Sequence, residues 1–198
     1  MPDEATASLP DGRRQRSERS RQAVLAAMLE LVDEGILVPT AQQVSERAGV
    51  GIRTVFRHFS DMESLFALLG VEIHNKYHGL FAAGDRDGSF EERLIHAVEQ
   101  RAFAYEATGN QFLSTQAQLW RYPTLREQYA QTLKEIRRDL EDWLPEIQEL
   151  SNEQREMIDI AASFDTWHRL REYQDLSVEQ STQRVVELLR RIVVAPPQ

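Results

Sequence analysis

Apolar residues recur at the spacing of an amphipathic helix in one segment of this sequence after another, and no convincing run of strict apolar–polar alternation occurs. A Ser or Thr followed three residues later by Glu or Gln marks a helix start, because the hydroxyl accepts from the third helical N–H while the later side chain reaches back. Five such pairs occur: Thr40 with Gln43, Ser60 with Glu63, Ser89 with Glu92, Ser151 with Gln154, and Ser177 with Gln180. The sequence therefore predicts an all-α fold of about nine helices.

Glycines and one proline divide these predicted helices. Stops or breaks are expected at Gly35, at Gly49, in the Gly84–Gly88 stretch, at Gly109 and at Pro123. The predicted segments run from near Arg16 to Glu34, over Thr40–Ala48, over Gly51–Phe59, from Ser60 towards Leu80, from Ser89 to the Gly109 break, over Gln111–Trp120, and then onward from Pro123, Ser151 and Ser177.

Composition excludes several classes of protein. The chain has no cysteine, so disulfides, thiolate metal sites and thiol nucleophiles are excluded. No apolar run approaches the roughly 20 residues that span a bilayer, and the polar, acidic N-terminus is unlike a secretory signal. Glycine-rich phosphate loops, Gly-x-Ser-x-Gly elbows and His-Glu-x-x-His zinc motifs are also lacking, so we expect neither an enzyme nor a cofactor or metal. A cytoplasmic location is expected.

Charge is distributed unevenly along the chain. The whole sequence has a net charge of −9, but residues 13–60 contain eight arginines and five acidic residues, a local balance of +3. The densest basic run comprises Arg13, Arg14, Arg16, Arg19 and Arg21. A basic end on an acidic body is the arrangement expected when only one face meets phosphates, although a solvated helix start explains this run equally well.

The most informative stretch is Thr40–Phe59, which contains two short predicted helices meeting at Gly49. A glycine there adopts a left-handed backbone without strain. The side chains expected to face the neighbouring helix are Val44, Ala48, Val50, Val55 and Phe59, and those left outward on the second helix are Arg53, Thr54, Arg57 and His58. Such polar side chains suit base edges and phosphates in the major groove, so we predict a helix-turn-helix.

Three groups of residues resemble the N-terminal domain of tetracycline-repressor-like (TetR family) regulators. They are Ala26–Gly35, Val44–Val50 and Thr54–Leu65, and the resemblance spans about residues 16–66. It implies an all-helical protein with three DNA-binding helices followed by a helical domain for ligand binding and dimerisation. The predicted organisation is a disordered tail at 1–12, a DNA-binding domain at 13–60, an effector-binding and dimerisation domain at 61–194, and a disordered tail at 195–198.

The same resemblance implies which residues meet DNA. Thr40 is expected to cap the second helix against a phosphate, and Gln42 or Gln43 to approach the DNA. Residues expected to face the groove or its walls are Gly51, Ile52, Arg53, Thr54, Phe56, Arg57 and His58. Arg53 is the best candidate for bidentate guanine readout. From the charge pattern we add Arg13, Arg14 and Arg16 as phosphate contacts.

Two positions depart from the family pattern. Phe56 stands where the family usually has Tyr, whose hydroxyl meets a phosphate, and Met62 stands where it usually has Lys. Both changes remove a backbone contact, which positions a protein on DNA without specifying sequence. Our hypothesis is that the arginines before the first helix compensate for these losses.

The family resemblance implies that the last two helices pair with those of a second copy. Their sequences are apolar over more than one stripe, and a helix that is apolar on two faces must bury both. The residues predicted for this interface are Met157, Ile160, Phe164, Val185, Val186, Leu189, Ile192 and Val193. Burial of this wide apolar face within one copy is the alternative.

An effector pocket is expected among the middle helices. The residues predicted to line it are Tyr77, Phe103, Tyr105, Phe112, Gln116, Trp120, Trp143, Phe164, Trp167 and His168. Core packing is the more frequent role for any one of them, and their aromatic character hints at a flat, apolar ligand. His74 and His78 have a spacing that suits a metal on one helix face, but no third ligand is identifiable, so exposed or capping roles are favoured.

The predicted function is that of a homodimeric repressor, released from a pseudo-palindromic operator by a small-molecule effector and without contact to a membrane. The alternatives are an activator, a helical interaction scaffold without tight operator binding, and a helical hairpin that merely packs.

Overall fold

The computed structural model describes residues 9–194, and within that range every regular element is helical. The elements, in chain order, are α1 (Leu9–Asp33), α2 (Ala41–Arg47), α3 (Ile52–His58), α4 (Met62–Ala82), α5 (Phe90–Gln116), α6 (Pro123–Trp143), a 3₁₀ turn (Pro145–Glu149), α7 (Asn152–Ala161), α8 (Phe164–His168), a π turn (Arg169–Tyr173) and α9 (Val178–Val194). The predicted all-α class is confirmed. None of the helices in this range is long and apolar enough to cross a membrane.

Four of the five predicted capping boxes are present. In each, the Ser or Thr hydroxyl accepts from the backbone N–H three residues on, and the later side chain accepts from the cap N–H: Thr40 with Gln43, Ser89 with Glu92, Ser151 with Gln154, and Ser177 with Gln180. The prediction at Ser60 is wrong by one residue. Asp61 caps α4 instead, its Oδ1 accepting from the backbone N–H of Ser64 at 2.8 Å.

The predicted break at Gly109 is also wrong, because Gly109 lies inside the continuous helix α5. A helical glycine costs only about 1 kcal/mol relative to alanine. Thr108, Gln111 and Phe112 on either side are buried, so packing against other helices holds this part of α5 in place. The segment predicted after Ser151 is, in contrast, divided, since Ser163 starts α8 two residues after α7 ends.

The first helix begins earlier than expected. Because α1 starts at Leu9, residues 9–12 of the predicted N-terminal tail are helical. Residues 1–8 and the predicted tail at 195–198 lie outside the described residues. The proposed domain limits at 13, 61 and 194 stay predictions.

Two hydrophobic cores organise the described chain. One, called here the head core, is formed by α1–α3, the first turns of α4, and Tyr122 and Leu125 at the start of α6. The other, the body core, is formed by α5–α9 with Phe81 of α4. The predicted boundary at residue 60 passes through the head core, because Leu65, Phe66 and Leu69 of α4 belong to it. Helix α4 therefore packs in both parts.

Candidate nucleic-acid interface and effector cavity

The two short helices α2 and α3 meet as the sequence predicts. Gly49 has a φ of +63°, in the left-handed region that favours glycine. Val44, Val55 and Phe59 are buried in the head core, and Ala48 and Val50 pack against it. This inward face fixes the angle between the helices and leaves the opposite face of α3 free to meet another molecule.

The exposed face of α3, which we call the reading face, comprises Ile52, Arg53, Phe56 and Arg57. Successive members of this set are one, three and one positions apart in the sequence, so they share one side of a helix. No acidic residue lies on α3. Neither arginine has an ion-pair partner within residues 9–194, and the reading face is thus cationic with two apolar side chains.

Thr54 and His58 are less accessible than predicted. Both are half-buried, and the His58 ring packs edge-on against Phe59 with ring centroids 6.4 Å apart. The Nε2 atom of His58 is buried and has no hydrogen-bond partner among the described residues. Burial lowers the pKa of His58, and the nearby charges of Arg57 and Arg21 lower it further. His58 therefore supports the helix packing instead of projecting outward as expected.

The polar residues predicted at the start of α2 already have partners within the chain. The backbone N–H of Thr40 donates to Gln43 Oε1 at 2.9 Å, and Gln42 Nε2 donates to Glu46 Oε1 at 2.6 Å. Thr40 and Gln42 are exposed, while Gln43 is half-buried. Of these side chains, Gln43 is the most committed to holding the helix start.

Most carboxylates of the head have cationic or amide partners. Arg47 donates to both carboxylate oxygens of Glu34, at 2.9 and 2.7 Å, and also approaches Glu30 at 3.5 Å. Hydrogen bonds from Arg47 lower the pKa of Glu34. A hydrogen bond from Gln22 lowers the pKa of Glu18, which also pairs with Arg21.

The N-terminal arginines extend this basic region. Arg14, Arg16 and Arg19 are exposed on α1, and Arg16 donates to its own helix at the carbonyl of Gly12. Arg13 lies in α1, but its side chain lies outside the described residues. Met62, at the position of the usual family Lys, packs against the head core, so its side chain serves packing.

A cavity of about 450 Å³ lies between α4, α5 and α6. Of the predicted pocket residues, Tyr77 and Phe112 line it. A second cavity, of about 490 Å³, lies on the other side of α5 and is lined by Tyr77, Tyr105, Phe164, Trp167 and His168. Phe81 also lines the first cavity, together with residues that the sequence did not predict there, which include Thr108, Gln111, Gln128, Tyr129 and Glu135.

Four predicted pocket residues line neither cavity. Phe103 and Trp120 are 60% and 78% exposed, and Trp143 is buried in the body core. The Gln116 side chain donates hydrogen bonds to the Tyr129 hydroxyl at 2.9 Å and to Asp165 at 3.0 Å. Aromatic content alone did not identify the α6 wall of the first cavity, because α6 contributes mainly polar side chains to it.

The predicted dimer residues divide into two sets. Phe164, Val185, Val186 and Leu189 are buried within the body core of a single chain, and Ile192 and Val193 pack against that core. For these residues the alternative of burial within one copy applies. Met157 and Ile160 on α7 are 55% and 67% exposed, and Val178 and Leu188 on α9 are also exposed. These four are large apolar residues that α7 and α9 leave available.

No group of three or more His, Asp or Glu side chains that could hold a metal occurs in the described part of the chain. His74 Nδ1 lies 3.4 Å from the Glu135 carboxylate, and the His78 side chain lies outside the described residues.

Comparison with known proteins agrees with this architecture. Residues 24–69 match the family described as "Bacterial regulatory proteins, tetR family". The crystal structure of a transcriptional regulator from Rhodococcus sp. Rha1 has a TM-score of 0.64 at 19% identity, covering 91% of this chain and 99% of its own. A regulator from Streptomyces coelicolor A3(2) has a TM-score of 0.55 at 23% identity, covering 89% and 99%. At these identities the two structures show the fold alone. No curated protein is significantly similar in sequence.

Proposed function

We propose that this chain represses transcription by binding a pseudo-palindromic operator, because its residues 24–69 match the tetR family of bacterial regulatory proteins. The match of residues 24–69 supports the proposal that it is a DNA-binding transcriptional regulator. The repressor role, the symmetric operator and release by a small molecule are our proposal. The observation that carries it is the cationic reading face on α3, whose Arg53 and Arg57 lack ion-pair partners within residues 9–194.

Direct readout fits the geometry of α3. The major groove admits one α-helix, and arginine is the side chain that most often contacts guanine there. Arg53 stands in the first turn, where recognition helices contact base edges, and Arg57 stands one turn later. We assign base contact to Arg53 and phosphate contact to Arg57 and to the arginines of α1. Ile52 and Phe56 supply apolar contact with thymine methyl groups.

A homodimer follows from the need to duplicate the reading face. We propose that Met157, Ile160 and Leu188 contribute to its interface. Helices α7 and α9 pack on each other, and the Gln154 side chain donates to the carbonyl of Ile192 at 2.9 Å. Met157 and Ile160 of α7 and Leu188 of α9 are exposed on this packed pair of helices. Twofold symmetry of the protein then requires a pseudo-palindromic operator.

We propose that the cavity between α4, α5 and α6 is the effector site. Two of its lining residues are hydrogen-bonded to α1 and α4, helices that contribute to the head core. Gln111 donates to the Asp33 carboxylate at the end of α1, and Gln128 donates to the carbonyl of Ala67 in α4 at 3.3 Å. A ligand releases DNA only if it binds more tightly to the state whose reading faces are wrongly spaced. A ligand that moves these side chains acts on that spacing.

DNA binding is tested by fluorescence anisotropy with the DNA upstream of the protein's own gene, titrated at several salt concentrations. We expect a site bound at least about a thousandfold more tightly than unrelated DNA. The variant carrying both Arg53→Ala and Arg57→Ala should lose that preference. Arg138→Ala, at an exposed arginine of α6, is the matched control and should retain it. Absence of a preferred site would support the scaffold alternative.

A further inference from the structure

Among the described residues that line the effector cavity between α4, α5 and α6, the only basic side chain is that of His74. The acidic lining residues are Glu127 and Glu135. Arg101 is packed behind the α6 wall, where its guanidinium donates to the carbonyl of Ile136 and to the Tyr105 hydroxyl, and it does not line the cavity. An anionic ligand would therefore lie beside carboxylates without a lysine or arginine among the lining residues to compensate it.

Three threonine hydroxyls that line the cavity already donate to backbone carbonyls and can still accept a hydrogen bond. Thr108 donates to the carbonyl of Ala104 at 2.6 Å, and Thr115 and Thr132 donate in the same way to the carbonyls four residues before them. A hydroxyl has one hydrogen to donate and two lone pairs to accept with. These three threonines can consequently only accept a further hydrogen bond.

The two glutamines of the cavity wall also use their NH₂ groups as donors within the protein. The NH₂ groups of Gln111 and Gln128 donate to Asp33 and to Ala67, as described above. The Oε1 atoms of both side chains are buried and have no hydrogen-bond partner among the described residues. A buried acceptor without a partner costs about 1–3 kcal/mol, and because both oxygens are buried, a ligand reaches them only if these side chains move.

Glu135 is the charged centre of this wall. Its Oε1 accepts from Gln131 Nε2 at 2.8 Å, and its Oε2 lies 3.4 Å from His74 Nδ1. The Glu135 side chain is 26% exposed, so its carboxylate is held by these partners and is still accessible. The aromatic rings of Tyr77, Phe81, Phe112 and Tyr129 also line the cavity. Cations are attracted to the faces of such rings as well as to carboxylates.

We propose that the effector of this protein is an organic cation, a protonated amine or amidine that donates hydrogen bonds and carries a flat apolar body. This inference rests on the proposed function, because it names the ligand of the effector site. The charged nitrogen donates to Glu135 and to threonine hydroxyls of the wall, while the apolar body packs on Phe81 and Phe112. A volume of about 450 Å³ accommodates a drug-sized molecule of this kind.

The test uses two fluorescent probes that share a dansyl group and a five-carbon chain but differ in terminal charge. Dansylcadaverine ends in an ammonium, and dansyl-6-aminohexanoate ends in a carboxylate. Each is titrated into the full-length protein, with dansyl fluorescence as the signal. We expect the cation to bind the wild-type protein at least about tenfold more tightly than the anion. Glu135→Gln should remove most of that difference, whereas Glu149→Gln, at an exposed residue of the 3₁₀ turn, should preserve it.

Equal binding of the two probes, or tighter binding of the anion, would overturn the ligand class even if Glu135→Gln proved poorly folded, because the comparison is made in the wild-type protein. The same probes are then added to the protein bound to its upstream DNA. Release of DNA by the anion alone would contradict this inference and leave the proposed function intact. Selective binding of the cation without any change in DNA affinity would support a cation site in this cavity and contradict the proposal that its ligand controls DNA binding.

Discussion

Gln111 of α5 donates a hydrogen bond from its side-chain amide to the carboxylate of Asp33, the last residue of α1. Asn110 adds a second bond, from its side chain to the backbone carbonyl of Asp33 at 2.9 Å. Partial burial raises the pKa of Asp33, and the bond from Gln111 opposes that rise. Because Gln111 also lines the effector cavity, one hydrogen bond joins the wall of that cavity to the helix that supports the reading face.

The substitution Gln111→Leu should reduce the effect of ligand binding on DNA affinity. The variant keeps the volume of the side chain and removes the donor to Asp33, so we expect the free energy of unfolding to fall by about 1 kcal/mol. The change in DNA affinity caused by ligand should fall towards none, as measured by anisotropy with and without dansylcadaverine. Gln100→Leu removes a bond to the carbonyl of Leu80 and should leave the ligand response in place. An unchanged response in Gln111→Leu would exclude this route.

Arg53→Ala should relax base preference at one position of each half-site. If Arg53 makes a bidentate contact with guanine, the preference that disappears there is about 1–3 kcal/mol. The measurement is a competition assay with operators substituted one base pair at a time. Arg57→Ala is the comparison, and should weaken binding to all of them about equally. Uniform weakening by Arg53→Ala would instead assign Arg53 to a phosphate.

Removal of residues 1–20 should weaken binding to specific and unrelated DNA alike. Phe56 has no hydroxyl and Met62 no charge, so we expect the arginines of this segment to neutralise more of the phosphate charge. For every phosphate that no longer meets an arginine, the slope of log affinity against log salt should flatten by roughly one. Salt titration of full-length and shortened protein measures this slope. Equal affinity and slope would show that these arginines do not touch DNA.

His58 should make the stability of the protein depend on pH. Burial and the neighbouring arginines lower its pKa in the folded state, whereas in the unfolded chain it titrates near its ordinary value of 6.5. As the pH falls, the unfolded state therefore binds the proton at a higher pH than the folded state does. The free energy of unfolding is at its full value above pH 6.5 and decreases as the pH falls below it. Urea unfolding at about pH 7.5 and about pH 5.5 should show a smaller loss for His58→Gln than for the wild type. Parallel losses would contradict a buried neutral imidazole.

Ile160→Glu should produce a monomer that binds one half-site weakly. Ile160 is the more exposed of the two apolar residues named on α7, so a charge there costs the single chain little but is costly in a dry interface. Light scattering measures the mass, and anisotropy measures the loss of operator affinity. Phe103→Glu, at an exposed residue of α5, is the control and should leave the mass unchanged. A dimer that persists in Ile160→Glu would place the interface elsewhere.

The helix-turn-helix illustrates how much local sequence determines. The capping box at Thr40, the left-handed Gly49 and the buried Val44, Val55 and Phe59 were all predictable, because caps, turns and helical periodicity depend on residues a few positions apart. The same local reasoning failed at Gly109. Burial of the residues beside it, an effect of distant helices, kept α5 continuous.

The sequence by itself determined an all-α chain, the α2–α3 pair and a basic end on an acidic body. Only the tertiary structure decided which apolar and polar side chains are packed inside a single chain and which remain exposed. Val185, Val186 and Leu189 have the pattern of an interface but fill the core of one chain, while His58 turns into the packing beside Phe59. The cavity walls were equally hidden, because they join α4, α5 and α6 across long sequence separations. Periodicity states that a face must be covered, and only the packed structure shows what covers it.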